Sequence, residues 1–200
     1  MSTPSHWTGI VLAAGRGRRF DPLGNEDKLL QTLPSGVTLA AQSAARMAAV
    51  CLDMLVVVVR ADNLRLQQTL QDADYPLLLC TNADDGMAVS LTTALRHTAE
   101  SAGWVIALAD MPFVQESTIQ RVVQALRDGA DIVVPVYQGR RGHPVGFSRC
   151  HLPELLTLKG DQGARRLLQT FPVHEIVVDD PGILQDVDQP ADLQAYLQKK

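Results

Sequence analysis

At 200 residues, 46% of them hydrophobic and 20% charged, the chain can bury one sizeable core but hardly two, so a single domain over 1–200 is expected. A net charge of −4 excludes a global attraction to nucleic acid or to an anionic membrane, and any basic site has to be local. No leader-like segment opens the sequence and no apolar run approaches a membrane span, and Cys51, Cys80 and Cys150 lack C-x-x-C spacing; the expectation is a cytoplasmic protein with neither a disulfide framework nor a zinc site.

The first element is GIVLAAG (9–15), a continuous apolar run ending in glycine, as in a strand buried on both faces that opens into a loop. Thr38 then caps an Ala-rich helical run to Val50. DMLVVVV (53–59) and YPLLLC (75–80) repeat the buried-strand pattern. NADDGMAVSL (82–91) leads into a helix, with Asp84 or Asp85 as a candidate cap. WVIALAD (104–110) is a strand, Ile119, Val122, Val123 and Leu126 form a helical stripe, and ADIVVPV (130–136) is a further strand. This alternation predicts an α/β fold, a mostly parallel sheet covered by helices on both faces. The pattern then changes. HPVGFS (143–148) and HEIVVDD (174–180) read as strands, Ala164, Leu167, Leu168 and Phe171 mark a helix, and Pro190 opens a last one in ADLQAYLQ. This final third is expected to be an appendage of the same domain.

The stretch VLAAGRGRRF (11–20) carries the chemistry. A loop with Gly15 and Gly17 after a buried strand exposes backbone N–H groups and lets a phosphate approach closely, and Arg16, Arg18, Arg19 and Lys28 supply countercharge. The P-loop pattern G-x-x-x-x-G-K-[ST] is absent, and Phe20 replaces the third glycine of the dinucleotide pattern G-x-G-x-x-G. Taken alone, the loop reads better as a glycine-rich turn with solvated arginines.

LAAGRGRRF followed by Lys28 resembles the signature L-A-A-G-x-G-x-R-[MF]…K of nucleotidyltransferases with a Rossmann-like sheet, a group that includes sugar-nucleotide pyrophosphorylases and molybdenum-cofactor nucleotidyltransferases. ALADMP (107–112) and DVDQPADL (186–193) resemble that family's metal-binding elements. GMAVSL (86–91), RGHPVGF (141–147) and GDQGAR (160–165) narrow the resemblance to the molybdenum cofactor cytidylyltransferase-like branch. It implies a three-layer α/β/α sandwich of the nucleotide-diphospho-sugar transferase type. It also implies a triphosphate wrapped by Leu12, Ala13, Ala14, Gly15, Arg16, Gly17, Arg18 and Arg19, with Arg19, Lys28 and Asp110 catalytic, Mg²⁺ on Asp110 and Asp188, and the base near Gly86 and Ser90. FDPLGNED (20–27) is longer than the family spacing, and Gln189 stands where the family often has Thr.

Each carboxylate also has a plain structural reading. Asp110 can cap a helix before MPFVQ, and Asp188 can serve as a turn residue before Pro190. Asp186 points to the same side as Asp188 in an extended segment, as a further ligand or a hydrogen-bond acceptor. His143 is expected in the acceptor pocket rather than as a base, because a phosphate nucleophile is already ionised; the alternative is a buried turn histidine. Arg141 beside it suits a phosphate-bearing acceptor, and the remaining histidines read as surface or packing residues. The resemblance implies Mg²⁺-dependent transfer of CMP from CTP to a molybdopterin-type cofactor with release of pyrophosphate, and a recipient molybdoenzyme or its chaperone downstream. Ala13, Ala14 and Gly15 match the A-A-G of cytidylyl-transferring relatives rather than A-G-G. The alternatives are a GTP-using guanylyltransferase, a transferase for a sugar phosphate or another small acceptor, and a non-catalytic cofactor-binding chaperone.

Overall fold

The computed structural model describes residues 5–197 apart from Pro22, Gly24, Asn25, Cys51, Asp161 and Gln162. Four apolar runs form β1 (Trp7–Ala13), β2 (Met54–Arg60), β3 (Leu77–Cys80) and β4 (Gly103–Leu108), parallel to one another in the order β3-β2-β1-β4. The connecting helices are α1 (Leu39–Ala48), α2 (Leu64–Asp72) and α3 (Met87–His97), and α4 (Glu116–Arg127) follows β4. Thr38 caps α1 by accepting from the Ala41 N–H, as expected. In α2 only Leu66 and Leu70 are buried, too sparse a stripe to stand out in the sequence.

The expectation of an appendage after residue 136 is overturned. The chain turns from β5 (Ile132–Tyr137) into β6 (Arg140–Arg141) and β7 (Val145–Ser148), and β7 lies antiparallel between β4 and β5, inside the sheet. Gly146 is what allows this, because a Cβ there would lie 2.7 Å from Leu126 and 3.0 Å from Val122 of the helix packed over it. β8 (His174–Val177) is parallel to β5 on its other side. The eight-stranded sheet is therefore mixed but mostly parallel.

Alternate residues of each strand feed two core layers. Val57, Val59 and Val105 pack with α1, α2 and α4 through Met47, Leu66, Leu70, Val122 and Leu126. Val56, Val58 and Ile106 pack with α3, α5 (Leu152–Leu156) and α6 (Arg165–Thr170) through Leu91, Leu95, Leu155 and Leu167. The result is the expected three-layer α/β/α sandwich. A small third cluster joins Phe20, Leu33, Leu39 and Val187 to Leu193 of α7 (Pro190–Leu197), bringing the end of the chain beside the loop that follows β1. No helix among the described residues is long and apolar enough to cross a membrane.

Candidate active site

The loop after β1 turns at Gly17, whose φ of 62° suits glycine and whose carbonyl accepts from the Phe20 N–H at 2.8 Å. Phe20, where a third dinucleotide-type glycine would stand, is buried against Leu39 and Val187 and fastens the loop to α1 and to the C-terminal segment. Lys28 begins a short 3₁₀ turn capped by Asp27, whose carboxylate accepts from the Leu29 N–H at 2.8 Å and from Asn63 Nδ2 at 2.6 Å. Asp110 follows β4, at the carboxyl end of a parallel strand where open α/β sheets place ligands. The Asp110 carbonyl accepts from the Val187 N–H at 2.9 Å, and the Ala109 carbonyl accepts from the buried Ser43 hydroxyl at 2.9 Å. The first bond holds DVD (186–188) against the end of β4, and the second ties α1 to the same strand end.

Four of the residues singled out in the sequence therefore meet. Lys28 Nζ lies 2.7 Å from Asp110 Oδ2 and 3.2 Å from Asp188 Oδ1, and Arg19 reaches Asp188 Oδ2 at 2.7 Å. Lys28 is only 8% exposed. Burial opposes its charge, but the two carboxylates outweigh it and hold its pKa above the ordinary lysine value. Burial likewise opposes ionisation of Asp188, and Lys28 chiefly overcomes it, leaving that carboxyl below its usual range. Asp186 goes the other way: burial and its hydrogen bond to Asp188 push it up. The two acids thus divide the work, Asp188 charged and Asp186 its hydrogen-bonding neighbour.

Asp110 Oδ1 is buried with no hydrogen-bond partner among the described residues. An orphaned carboxylate oxygen beside a second carboxylate is a hard, all-oxygen donor set that fits Mg²⁺ or Mn²⁺. Asp110 is not a helix cap. That work falls to Asp180, 1% exposed, which accepts from Gln115 N–H, Thr118 Oγ1 and Gly182 N–H at 2.7–2.9 Å around the start of α4.

A cleft of about 340 Å³ opens from this cluster, lined by Leu12, Ala14, Gly15, Arg16, Arg18, Lys28 and Asp110 on one side and by Gly86, Met87 and Ser90 on the other. Ala13 packs into the core instead, and Gly17 lies behind Lys28. Gly86 has φ 110°, and a Cβ there would collide with Gly160, whose carbonyl accepts from the Ala88 N–H at 2.9 Å. The GDQGAR segment is thereby seated against the start of α3, although its Asp161 and Gln162 lie outside the described residues. Ser90 is buried, with its hydroxyl 3.7 Å from Cys80 Sγ.

An ionic network at the cleft mouth was not among the features expected. Arg16 pairs with both oxygens of Asp84 at 2.6 Å, and Arg60, 6% exposed at the end of β2, donates to Asp62 and Asp84 at 2.9–3.1 Å. Arg16 first and Arg60 second hold the Asp84 carboxyl far below the usual range. Asp84 is thus an anchor for arginines rather than the helix cap expected from NADDGM. An arginine ending a strand next to A-D-N was the available signal.

The two acceptor candidates are not brought to the cleft together. Arg141 is exposed, paired with Glu175 of β8 at 2.7 Å and with the Leu168 carbonyl at 3.3 Å. His143 is partly buried in a narrow crevice with Ser43, Arg46 and Met111. Its Nδ1 has no partner among the described residues, and burial, partly offset by the Asp110 charge, lowers its pKa.

Comparison with known proteins places this geometry in context. The chain is 30% identical over 195 residues to the purine catabolism protein PucB of Bacillus subtilis, covering 91% of each. It is 33% identical over 153 residues to a molybdenum cofactor guanylyltransferase of Rhodopseudomonas palustris, covering 72% of this chain and 66% of that one. The crystal structure of Rv0371c from Mycobacterium tuberculosis superposes with a TM-score of 0.86 at 28% identity, over 98% of this chain and 100% of that chain. A manganese complex of the same mycobacterial protein superposes at 0.80 with 26% identity, over the same shares. The family model described as MobA-like NTP transferase domain matches residues 9–176. With that match spanning most of the sheet and the cleft, the chain belongs to the MobA-like NTP transferase family.

Proposed function

We propose that this nucleotidyltransferase moves CMP from CTP to the terminal phosphate of a molybdopterin-type cofactor and releases pyrophosphate. The observation that carries the reading is the convergence of Arg19, Lys28, Asp110 and Asp188 at one end of a cleft whose wall is a glycine–arginine loop. In such a transfer a phosphate oxygen of the acceptor attacks the α-phosphorus and pyrophosphate leaves in line, so both reactants are anions and charge neutralisation with positioning does most of the work. Lys28 and Arg19, now neutralised by carboxylates, are positioned to exchange them for phosphate oxygens. The Gly15 to Gly17 backbone presents N–H groups to the same charge. Asp110 and Asp188 would hold a divalent cation, Mg²⁺ by the hardness of their oxygens, and that ion supplies further charge neutralisation on the phosphates. The Gly86 and Ser90 side is assigned to the base.

The reading with GTP as donor has its own support in relatives named molybdenum cofactor guanylyltransferase. Ala14 is the residue that favours CTP: its methyl group lines the cleft at the loop and limits how closely a larger purine nucleotide can approach. Pyrophosphate release by the purified protein with Mg²⁺ and each nucleoside triphosphate, with and without molybdopterin cofactor, tests the assignment. CTP is expected to be preferred, and Ala14→Gly to shift use toward GTP without reversing it, since one methyl contact discriminates by about 1–3 kcal/mol. Equal or better use of GTP by the unaltered protein would remove the cytidylyl assignment.

A further inference from the structure

A second group of ligand-type side chains lies away from the cleft. Asp131 precedes β5 and Ser148 ends β7 opposite Gly103, so this group sits where β4 and β5 begin, whereas the cleft lies where β1 and β4 end. Asp131 Oδ1 accepts from Ser148 Oγ at 3.0 Å and from Cys150 Sγ at 3.3 Å. A ring nitrogen of His151, Cys150 Sγ and an Asp131 carboxylate oxygen all lie within 4.8 Å of one another.

Three features set this cluster apart from an ordinary polar surface. His151 is only 8% exposed, and its ring is held edge-on by Phe147 and Phe171. Glu154 Oε2 is buried and unpartnered as well, and the residue lies near enough to act on the Cys150 thiol. Neither Asp131 nor Glu154 has a basic partner among the described residues. A divalent cation placed among these groups would take the lone pair of the imidazole nitrogen, offset the carboxylate charge and release the thiol proton to solvent.

We propose that Asp131, Cys150 and His151 form a binding site for Zn²⁺, whose two charges the Asp131 carboxylate and the Cys150 thiolate match. The choice of metal follows from the donors. Sulfur and imidazole nitrogen beside a carboxylate suit Zn²⁺, whereas Mg²⁺ and Ca²⁺ take oxygen alone, as Asp110 and Asp188 offer. Such an ion ties the start of β5 to the turn that leads from β7 into α5, a structural role independent of the reaction in the cleft.

Cobalt titration of the full chain tests this, because thiolate-to-cobalt charge transfer absorbs in the near ultraviolet and requires a sulfur ligand. The expected result is a band that saturates at one Co²⁺ per chain, is displaced by Zn²⁺, disappears in Cys150→Ser and needs at least about tenfold more Co²⁺ in Asp131→Asn. With Asp110 and Asp188 kept filled by saturating Mg²⁺, Zn²⁺ should also raise the thermal unfolding midpoint of the unaltered protein and leave that of Cys150→Ser where it was. Absence of the band with Co²⁺ in roughly tenfold excess, or its survival in Cys150→Ser, overturns the site.

Discussion

Lys28 is the residue on which the candidate active site turns. Its ammonium bridges two carboxylates that would otherwise repel, and it does so in a nearly buried position. If Lys28 and Arg19 serve the phosphates, Lys28→Ala and Arg19→Ala should weaken CTP binding at least about tenfold while CMP binding changes little, as calorimetry can read. Equal losses for the two nucleotides would contradict the placement. His143 belongs to a different class. Its pKa lies below the ordinary 6.5, so the unfolded chain takes up a proton there before the folded one does. The stability contributed by the neutral ring is full above pH 6.5 and is lost as pH falls through the folded-state value. His143→Gln is therefore expected to flatten the decline in unfolding midpoint as pH falls below 6.5, and an unchanged slope would show that the ring does not titrate with folding. At this scale the sequence was most informative through its resemblance to a known family: Arg19, Lys28, Asp110 and Asp188 sit in motifs that the resemblance marks, whereas each taken alone reads as well as a turn or cap residue. It showed little of Arg16 with Asp84 and Arg60, because these come from the loop after β1, the turn before α3 and the end of β2, and the only local coupling is that of Arg60 with Asp62.

Among the elements, α4 shows how a helix that begins without a capping side chain of its own is completed from elsewhere. Gln115 makes no side-chain cap bond, and the buried Asp180, from the segment after β8, accepts the N–H and hydroxyl there instead. Asp180→Ala leaves three donors without their acceptor in a dry environment, an expected loss of about 2–3 kcal/mol in denaturant unfolding with the activity of the folded fraction retained. A loss below about 0.5 kcal/mol would mean that water reaches those donors. The strands that read as uninterrupted apolar runs were legible because burial on both faces leaves that mark, and β1, β2 and β4 follow it. The place of β7 was not legible. A strand with glycine at its centre reads as a marginal one, and only the packing of Leu126 and Val122 over Gly146 explains why it lies inside the sheet. The neighbourhood of Asp131 with Cys150 and His151 was not legible either, because the chain carries no ligand spacing there and folding alone brings Asp131 beside the other two.

On the scale of the molecule, the two ends of the sheet hold different chemistry. The end where β1 and β4 finish collects phosphate-type donors and hard carboxylates, and the opposite end collects sulfur, imidazole and carboxylate. Net charge carries none of this, since a chain at −4 still gathers Arg16, Arg18, Arg19, Lys28 and Arg60 around one cleft. A binder without catalysis would need no pairing of Lys28 with Asp110 and Asp188, so chemistry rather than retention of a nucleotide is the central claim. It is tested most directly by following pyrophosphate release together with transfer of the nucleotide's own phosphate to molybdopterin cofactor, in the unaltered protein and in Asp110→Asn, under saturating Mg²⁺. One pyrophosphate for each nucleotidyl group transferred, CTP ahead of GTP, and a loss of about 10²–10⁴ in rate for Asp110→Asn with the fold retained are expected. Turnover by Asp110→Asn within a few-fold of the unaltered protein, or no pyrophosphate from any nucleoside triphosphate with the acceptor present, would contradict it.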